Sequence, residues 1–340
     1  MIGNEVTPVK KLINDVENVV TEMLDGLAAA HPEYLTRVPG TDVVIRTTAK
    51  KTDKVVLISG GGSGHEPAHA GYVGKGMLDA AVSGAVFTSP TPDQVFEAIE
   101  AVECGAGALL IIKNYTGDVM NFEMAGEMAA DFDRNVAEVI VADDVAVENS
   151  TWTTGRRGIA GTIFVHKIAG AAAEEGRSLA EVKAVAEKVI ANVRSMGMAI
   201  EPCTVPAVGK PGFELAEDEV EIGIGIHGEP GTHREKITEA AATVDTLLAK
   251  IFAEGIYQEG DRVAVLVNGM GATPLSELYI ANKRVAEVLA EKKITAAKTY
   301  VGNYMTSLDM AGFSITLLKL DEELETLLAA PADTPAFRQM

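Results

Sequence analysis

Cysteine is nearly absent: Cys104 and Cys203 are the only two in 340 residues, and no CxxC pair occurs. Such a count supports neither a disulfide framework nor a cysteine-ligated zinc site, and both residues read as small buried hydrophobes in a reducing compartment. Aromatic residues are also scarce, at 5% of the chain with one tryptophan, Trp152. Positive charge is short as well, since 29 Lys and Arg against 49 Asp and Glu leave a net charge of -20. That sign repels phosphate backbones and anionic membrane surfaces, which disfavours nucleic-acid binding. No apolar run approaches the roughly 18 residues of a membrane span, and no charged n-region precedes an apolar h-region. The expectation is a soluble, cytoplasmic protein with no membrane association.

What is present is 47% hydrophobic sequence arranged as alternating strands and helices. A helix is expected over 10–30, where Leu12, Ile13, Val16, Val19, Val20, Met23, Leu24 and Leu27 form one apolar face, and His31-Pro32 ends it. Strands follow at 42–46, 54–59, 77–82, 108–113 and 136–141, with helices at 92–102 and 121–132 between them. Continuous apolar strands of this kind predict a mainly parallel sheet covered on both faces. A polar turn stretch at 150–158 leads to helices at 161–175 and 179–196. The segment 200–212 reads as an interdomain connection. Strands at 220–226, 262–268, 295–301 and 313–319, with helices at 236–254 and 275–291, then predict a second, smaller α/β domain with a mixed sheet. The expected division is 1–195, carrying the glycine-rich loop and Asp118, and 196–340, carrying His227.

Two stretches attract chemistry. In Leu57-Ile-Ser-Gly-Gly-Gly-Ser-Gly-His-Glu-Pro-Ala-His69 an apolar strand enters a glycine-packed turn, a cradle that lets backbone approach a ligand, with His65 at its lip. In Val220-Glu-Ile-Gly-Ile-Gly-Ile-His227-Gly-Glu-Pro-Gly231 a strand again ends in histidine, with small residues around the imidazole and Glu229 placed to fix its tautomer. Both histidines are expected to face one pocket.

Other motifs do not hold. His65-Glu66-Pro67-Ala68-His69 matches HExxH in letters, but zinc needs both histidines on a continuous helix, and Pro67 leaves only a helix opening near Glu66, with His69 on it. No metal site is expected. Gly223–Gly228 matches GxGxxG, yet its first glycines lie in a strand and no helix follows. Lys113 and Asp118 stand at or past the carboxyl end of a buried strand, the edge where open α/β sheets bind ligands. A solvated lysine and a helix-capping aspartate explain the same letters equally well. Asp143-Asp144 reads as a solvated acidic loop, and His166 as an ordinary core histidine.

Together, Gly60-Gly-Gly-Ser-Gly-His-Glu-Pro67, Ile111-Ile-Lys-Asn-Tyr-Thr-Gly-Asp118, Gly225-Ile-His-Gly-Glu-Pro-Gly231 and Gly271-Ala-Thr-Pro-Leu-Ser-Glu-Leu278 resemble the dihydroxyacetone kinase family, and its substrate-binding subunit K most of all. The likeness runs from about Lys10 to Thr334. It implies that His227 holds the ketone as a covalent hemiaminal, that Asp118 takes the proton of the hydroxyl that receives phosphate, and that His65 shares in proton transfer. Gly62, Ser63, Gly64, His65, Lys113 and Asp118 are implied to line the substrate pocket. It further implies a homodimer, no nucleotide on this chain, and Mg-bound ADP or ATP on a partner subunit L. A phosphotransferase-system subunit M, or exchange with ATP, would recharge that nucleotide. One branch of the family captures ligand as a transcriptional coactivator and phosphorylates nothing, which leaves a non-catalytic alternative.

Overall fold

The computed structural model describes residues 10–47, 54–148 and 153–340, so Trp152 lies outside the described residues. After a short 3-10 turn at Val16–Asn18, the chain runs α1 (Val19–Ala30), β1 (Leu35–Arg37), β2 (Val43–Arg46), β3 (Val56–Ser63), β4 (Ala80–Val86), α2 (Pro92–Val102), β5 (Ala108–Lys113), α3 (Thr116–Ala130) and β6 (Val136–Val141). These strands form one six-stranded sheet in the order β1-β2-β4-β3-β5-β6, parallel from β4 through β6 and antiparallel at the β1-β2 edge. Then come α4 (Thr162–Glu174), α5 (Leu179–Asn192), β7 (Val193–Glu201), β8 (Glu219–Ile222), β9 (His233–Lys236), α6 (Ala240–Ala253), β10 (Arg262–Gly269), α7 (Leu275–Glu291), β11 (Thr295–Gly302), β12 (Ala311–Leu320) and α8 (Glu322–Ala329). They build a second six-stranded sheet, β11-β10-β12-β7-β8-β9, in which only β10 and β11 are parallel. The fold is α/β with one mainly parallel and one mixed sheet.

Burial explains the stacking. Alternate faces of the parallel sheet are apolar: Val56, Ile58, Leu110 and Ile112 pack against α2 and α3, while Leu57, Leu109 and Ile111 pack against α4 and α5. The same middle core continues through α8 to Ala264, Leu266 and Leu318 of the mixed sheet, whose other face packs on α6 and α7. Helix α4 therefore sits between two sheets and is buried from Thr162 to Ala173, which its Ala- and Gly-rich sequence permits at close range.

Several expectations need correction. The glycines are not a turn, for β3 runs through Gly60–Ser63. The backbone of β4 and of Phe87-Thr88 comes so near that a Cβ on Gly60 would lie 2.3 Å from the Val82 carbonyl oxygen, and one on Gly62 2.5 Å from the Thr88 nitrogen. No helix opens at Glu66; a short 3-10 turn at Ala70–Tyr72 follows instead. Helix α3 begins at Thr116, five residues early, and α5 stops at Asn192, where the chain turns directly into β7. Residues 195 and 196 are thus neighbours inside one strand of the second sheet. Strand β8 ends at Ile222 because Gly223 takes φ +74. Cys203 is buried, but Cys104 is exposed.

Candidate active site

Parallel strands bring their carboxyl ends to one edge of a sheet. Here β3, β4 and β5 deliver His65, Phe87 and Lys113 there, and α3 opens from the same edge with Asp118 in its first turn. His227 arrives from the mixed sheet, on the loop after β8. Of the sequence-predicted groups, Gly62, Asp118 and His227 line one cavity of about 780 Å³, together with Phe87, Thr88, Ser89 and Tyr115.

His65 is fully buried, with Nδ1 2.9 Å from the Thr306 carbonyl oxygen and Nε2 3.1 Å from Nε2 of His227. A carbonyl only accepts, so His65 Nδ1 carries the ring proton and its Nε2 is a lone pair. The proton between the two imidazoles therefore belongs to His227. Burial, with the neighbouring cations Lys113 and Arg157, pushes the His227 pKa down to about 3, and burial beside His227 and Lys113 also holds His65 well below 6.5. Both rings are neutral near pH 7. Aromatic rings fix the His227 plane, Tyr115 edge-on at 4.3 Å and Phe87 at 5.4 Å between centroids, while Phe87 also stacks on His65 at 5.3 Å.

Lys113 and Asp118 are not solvated. Lys113 Nζ has zero exposure and lies 2.9 Å from the Gly60 carbonyl oxygen, 2.8 Å from His69 Nε2 and 3.8 Å from Asp118 Oδ2. Burial raises the Asp118 pKa, and the ammonium and Ser89 counter it. The start of α3 adds a partial positive charge favouring the carboxylate. Asp118 Oδ1 and the Tyr115 hydroxyl, both buried on the cavity wall, have no protein hydrogen-bond partner among the described residues. Such groups fit a ligand that brings hydroxyls or a carbonyl.

Of the predicted lining residues, His65, Lys113, Ser63 and Gly64 are not on this cavity's wall; the first two are buried against His227 and Asp118. Ser63 donates its hydroxyl to the Gly84 carbonyl oxygen at 2.7 Å and lines a separate cavity behind β3. Gly64 is constrained by φ +105, and a Cβ there would lie 2.8 Å from the Phe87 ring, so it keeps Phe87 close to His65.

Sequence reasoning missed the support beneath His227. Glu229 does not touch the ring; its Oε2 accepts the His227 backbone N–H at 2.9 Å. Its other oxygen faces Arg157, a fully buried guanidinium that donates to Asp144 at 2.7 Å and to the Gly223 carbonyl oxygen at 2.7 Å. Asp143 is buried too, accepting from the backbone of Ile159 and Gly161. The acidic pair is therefore an internal anchor and not a solvated loop. Its only sequence signal was two charges next to a buried strand. No group of three or more metal-ligating side chains occurs among the described residues.

Comparison with known proteins decides the lineage. The Dak1 domain model matches residues 25–336. The chain belongs to the Dak1 family, and so to the dihydroxyacetone kinase family its motifs resemble. It is 58% identical over 329 residues to the "PTS-dependent dihydroxyacetone kinase 1, dihydroxyacetone-binding subunit DhaK" of Listeria innocua, covering 96% of this chain and 100% of that protein. It is 47% identical to the corresponding PEP-dependent DhaK subunit of Escherichia coli, covering 96% and 99%. Among solved structures, the dihydroxyacetone kinase of C. freundii superposes with a TM-score of 0.89 at 38% identity, covering 97% of this chain and 60% of that one. The dihydroxyacetone kinase operon co-activator DhaQ gives the same TM-score and identity, covering 96% and 99%.

Proposed function

We propose that this Dak1 chain is the ketone-binding subunit of a dihydroxyacetone kinase. The observation that carries the reading is that His227, backed by His65 at 3.1 Å, and Asp118, with an unpartnered oxygen, share one cavity.

As the carbonyl carbon meets His227 Nε2, the Nε2–H bond breaks, its electron pair forms the N–C bond and its proton passes to His65 Nε2, which delivers it to the carbonyl oxygen. The net change adds N–H across C=O, giving a hemiaminal with both rings neutral. An imidazole nitrogen has no second proton to lose, so the adduct stops short of an imine and stays reversible. Glycerol lacks the carbonyl and is refused. The held molecule then offers its terminal hydroxyl to Asp118, which takes the proton as the hydroxyl oxygen attacks phosphorus. Fixing that oxygen is worth up to about 7–11 kcal/mol in an ideal case.

The phosphate comes from a Mg-bound adenine nucleotide on a partner subunit L, recharged by a phosphotransferase-system subunit M, in keeping with the PTS-dependent names of the relatives. The chain works as a homodimer. The coactivator alternative shares the fold equally, but identity is 58% to a kinase subunit against 38% to the coactivator structure. The full set His65, Lys113, Asp118 and His227 also favours turnover.

Native mass spectrometry with dihydroxyacetone tests the assignment. One added substrate mass is expected on the wild type and none on His227→Ala; an equal adduct on both refutes capture at His227. Product formation with a nucleotide-bearing L subunit separates kinase from coactivator.

A further inference from the structure

His69 takes no part in that capture. It lines the other cavity, of about 530 Å³, behind the glycine strand, yet its ring reaches Lys113 through the protein interior. An ammonium has three N–H donors and no acceptor. Lys113 directs one at the Gly60 carbonyl oxygen and one at His69 Nε2, which can accept only when unprotonated. The ring proton is then on Nδ1, facing Ser59 Oγ at 3.4 Å. Ser59 gives its own proton to the Ile111 carbonyl oxygen at 2.7 Å, leaving its lone pairs for the imidazole. Backbone of β5 thus fixes Ser59, Ser59 fixes the tautomer of His69, and His69 fixes Lys113, 3.8 Å from Asp118.

We propose that His69 is a positioning residue for phosphoryl transfer: its neutral Nε2 keeps the Lys113 ammonium charged and in place beside Asp118, and so sets the pH at which Asp118 works as a base. This rests on the reading of Asp118 as that base. Around the pair stand His65 and His227 from the two loops, His166 from α4 and Ser89 after β4. The three histidines are held neutral by burial, as is His69 itself. The ammonium is therefore the positive charge that opposes the burial of Asp118. Without its acceptor, a fully buried amine loses its proton more readily, and the Asp118 pKa rises.

The test compares His69→Gln, whose amide oxygen reaches toward the Nε2 position, with His69→Asn, one carbon shorter. Turnover of dihydroxyacetone is followed against pH with the L subunit. The Gln variant should keep the wild-type acid limb of kcat. The Asn variant should move it to higher pH by about one unit, a loss of about tenfold on the limb, with an unchanged ketone adduct at neutral pH. A purely structural role lowers kcat at all pH values and leaves the limb in place. Coincident limbs for His69→Asn and wild type overturn the proposal. Should His69→Asn fail to fold, Ser59→Ala carries the same test, because an unpinned ring can turn a proton toward Lys113; a limb unmoved in that variant overturns it equally. A wild type that captures no ketone is a different result and refutes the function proposed above.

Discussion

Lowering the pH from about 7.5 to about 5 separates this site from an ordinary histidine. A solvated imidazole with pKa near 6.5 is only about 3% neutral at pH 5, so its carbonyl adduct would weaken by roughly 30-fold. His227, held at about 3 by burial, Lys113 and Arg157, stays almost wholly neutral there. Its proton-accepting neighbour His65 is depressed in the same direction, well below the ordinary imidazole value, by burial beside His227 and Lys113. The affinity for dihydroxyacetone should therefore change by less than about twofold across the range. Isothermal titration calorimetry at the two pH values reads this, with circular dichroism confirming that the chain is folded at both. A loss near 30-fold with the fold intact would show a solvated His227 and refute the argument from burial.

Asp118→Asn should leave the ketone adduct intact and lower turnover by about 10²–10⁴-fold, the usual contribution of a positioned base; an undiminished rate would remove Asp118 from the mechanism. Arg157→Met strands Asp144 and Glu229 without their shared cation, and urea unfolding should show a loss of roughly 3–5 kcal/mol together with weaker capture, since Glu229 holds the His227 backbone. His166→Leu should behave oppositely. Neither ring nitrogen of His166 has a protein partner among the described residues, and burial holds its pKa at about 3. For such a base the folded state binds fewer protons than the unfolded one, so its stabilising share, complete above pH 6.5, is lost as pH falls toward 3. By pH 5 the loss is about 2 kcal/mol. The leucine variant should be at least as stable at pH 7.5 and should flatten the decline toward pH 5, as urea midpoints at both values would report.

Periodicity and apolar runs made the parallel sheet legible, because Val56–Ile58 and Leu109–Ile112 are buried on both faces and carry no turn residues. Glycine misled: Gly60–Gly64 reads as a turn by composition, whereas close approach of neighbouring backbone keeps most of it in a strand. Strand β7 was hidden because Val193, Met196 and Ala199 continue the apolar spacing of α5, and only pairing with β12 across more than a hundred residues makes it a strand. Helix α8 went unread altogether. In the site, the motifs carried His65, Lys113, Asp118 and His227 to one edge of the sheet. Burial of charge was not legible, since Arg157, Asp143, Asp144 and Glu229 look like surface residues until tertiary contacts pair them. The tautomer of His65 likewise depends on Thr306, 241 residues away.

Covalency at the ketone carbon is the claim on which capture, selectivity and presentation of the hydroxyl all stand. Dihydroxyacetone labelled with carbon-13 at its carbonyl, added in slight deficit to the wild-type chain, reports it by carbon NMR. The ketone signal should give way to a protein-bound resonance of a tetrahedral carbon, and His227→Ala should leave the ketone signal untouched. A bound ligand whose carbon keeps its carbonyl shift in the wild type would contradict the account.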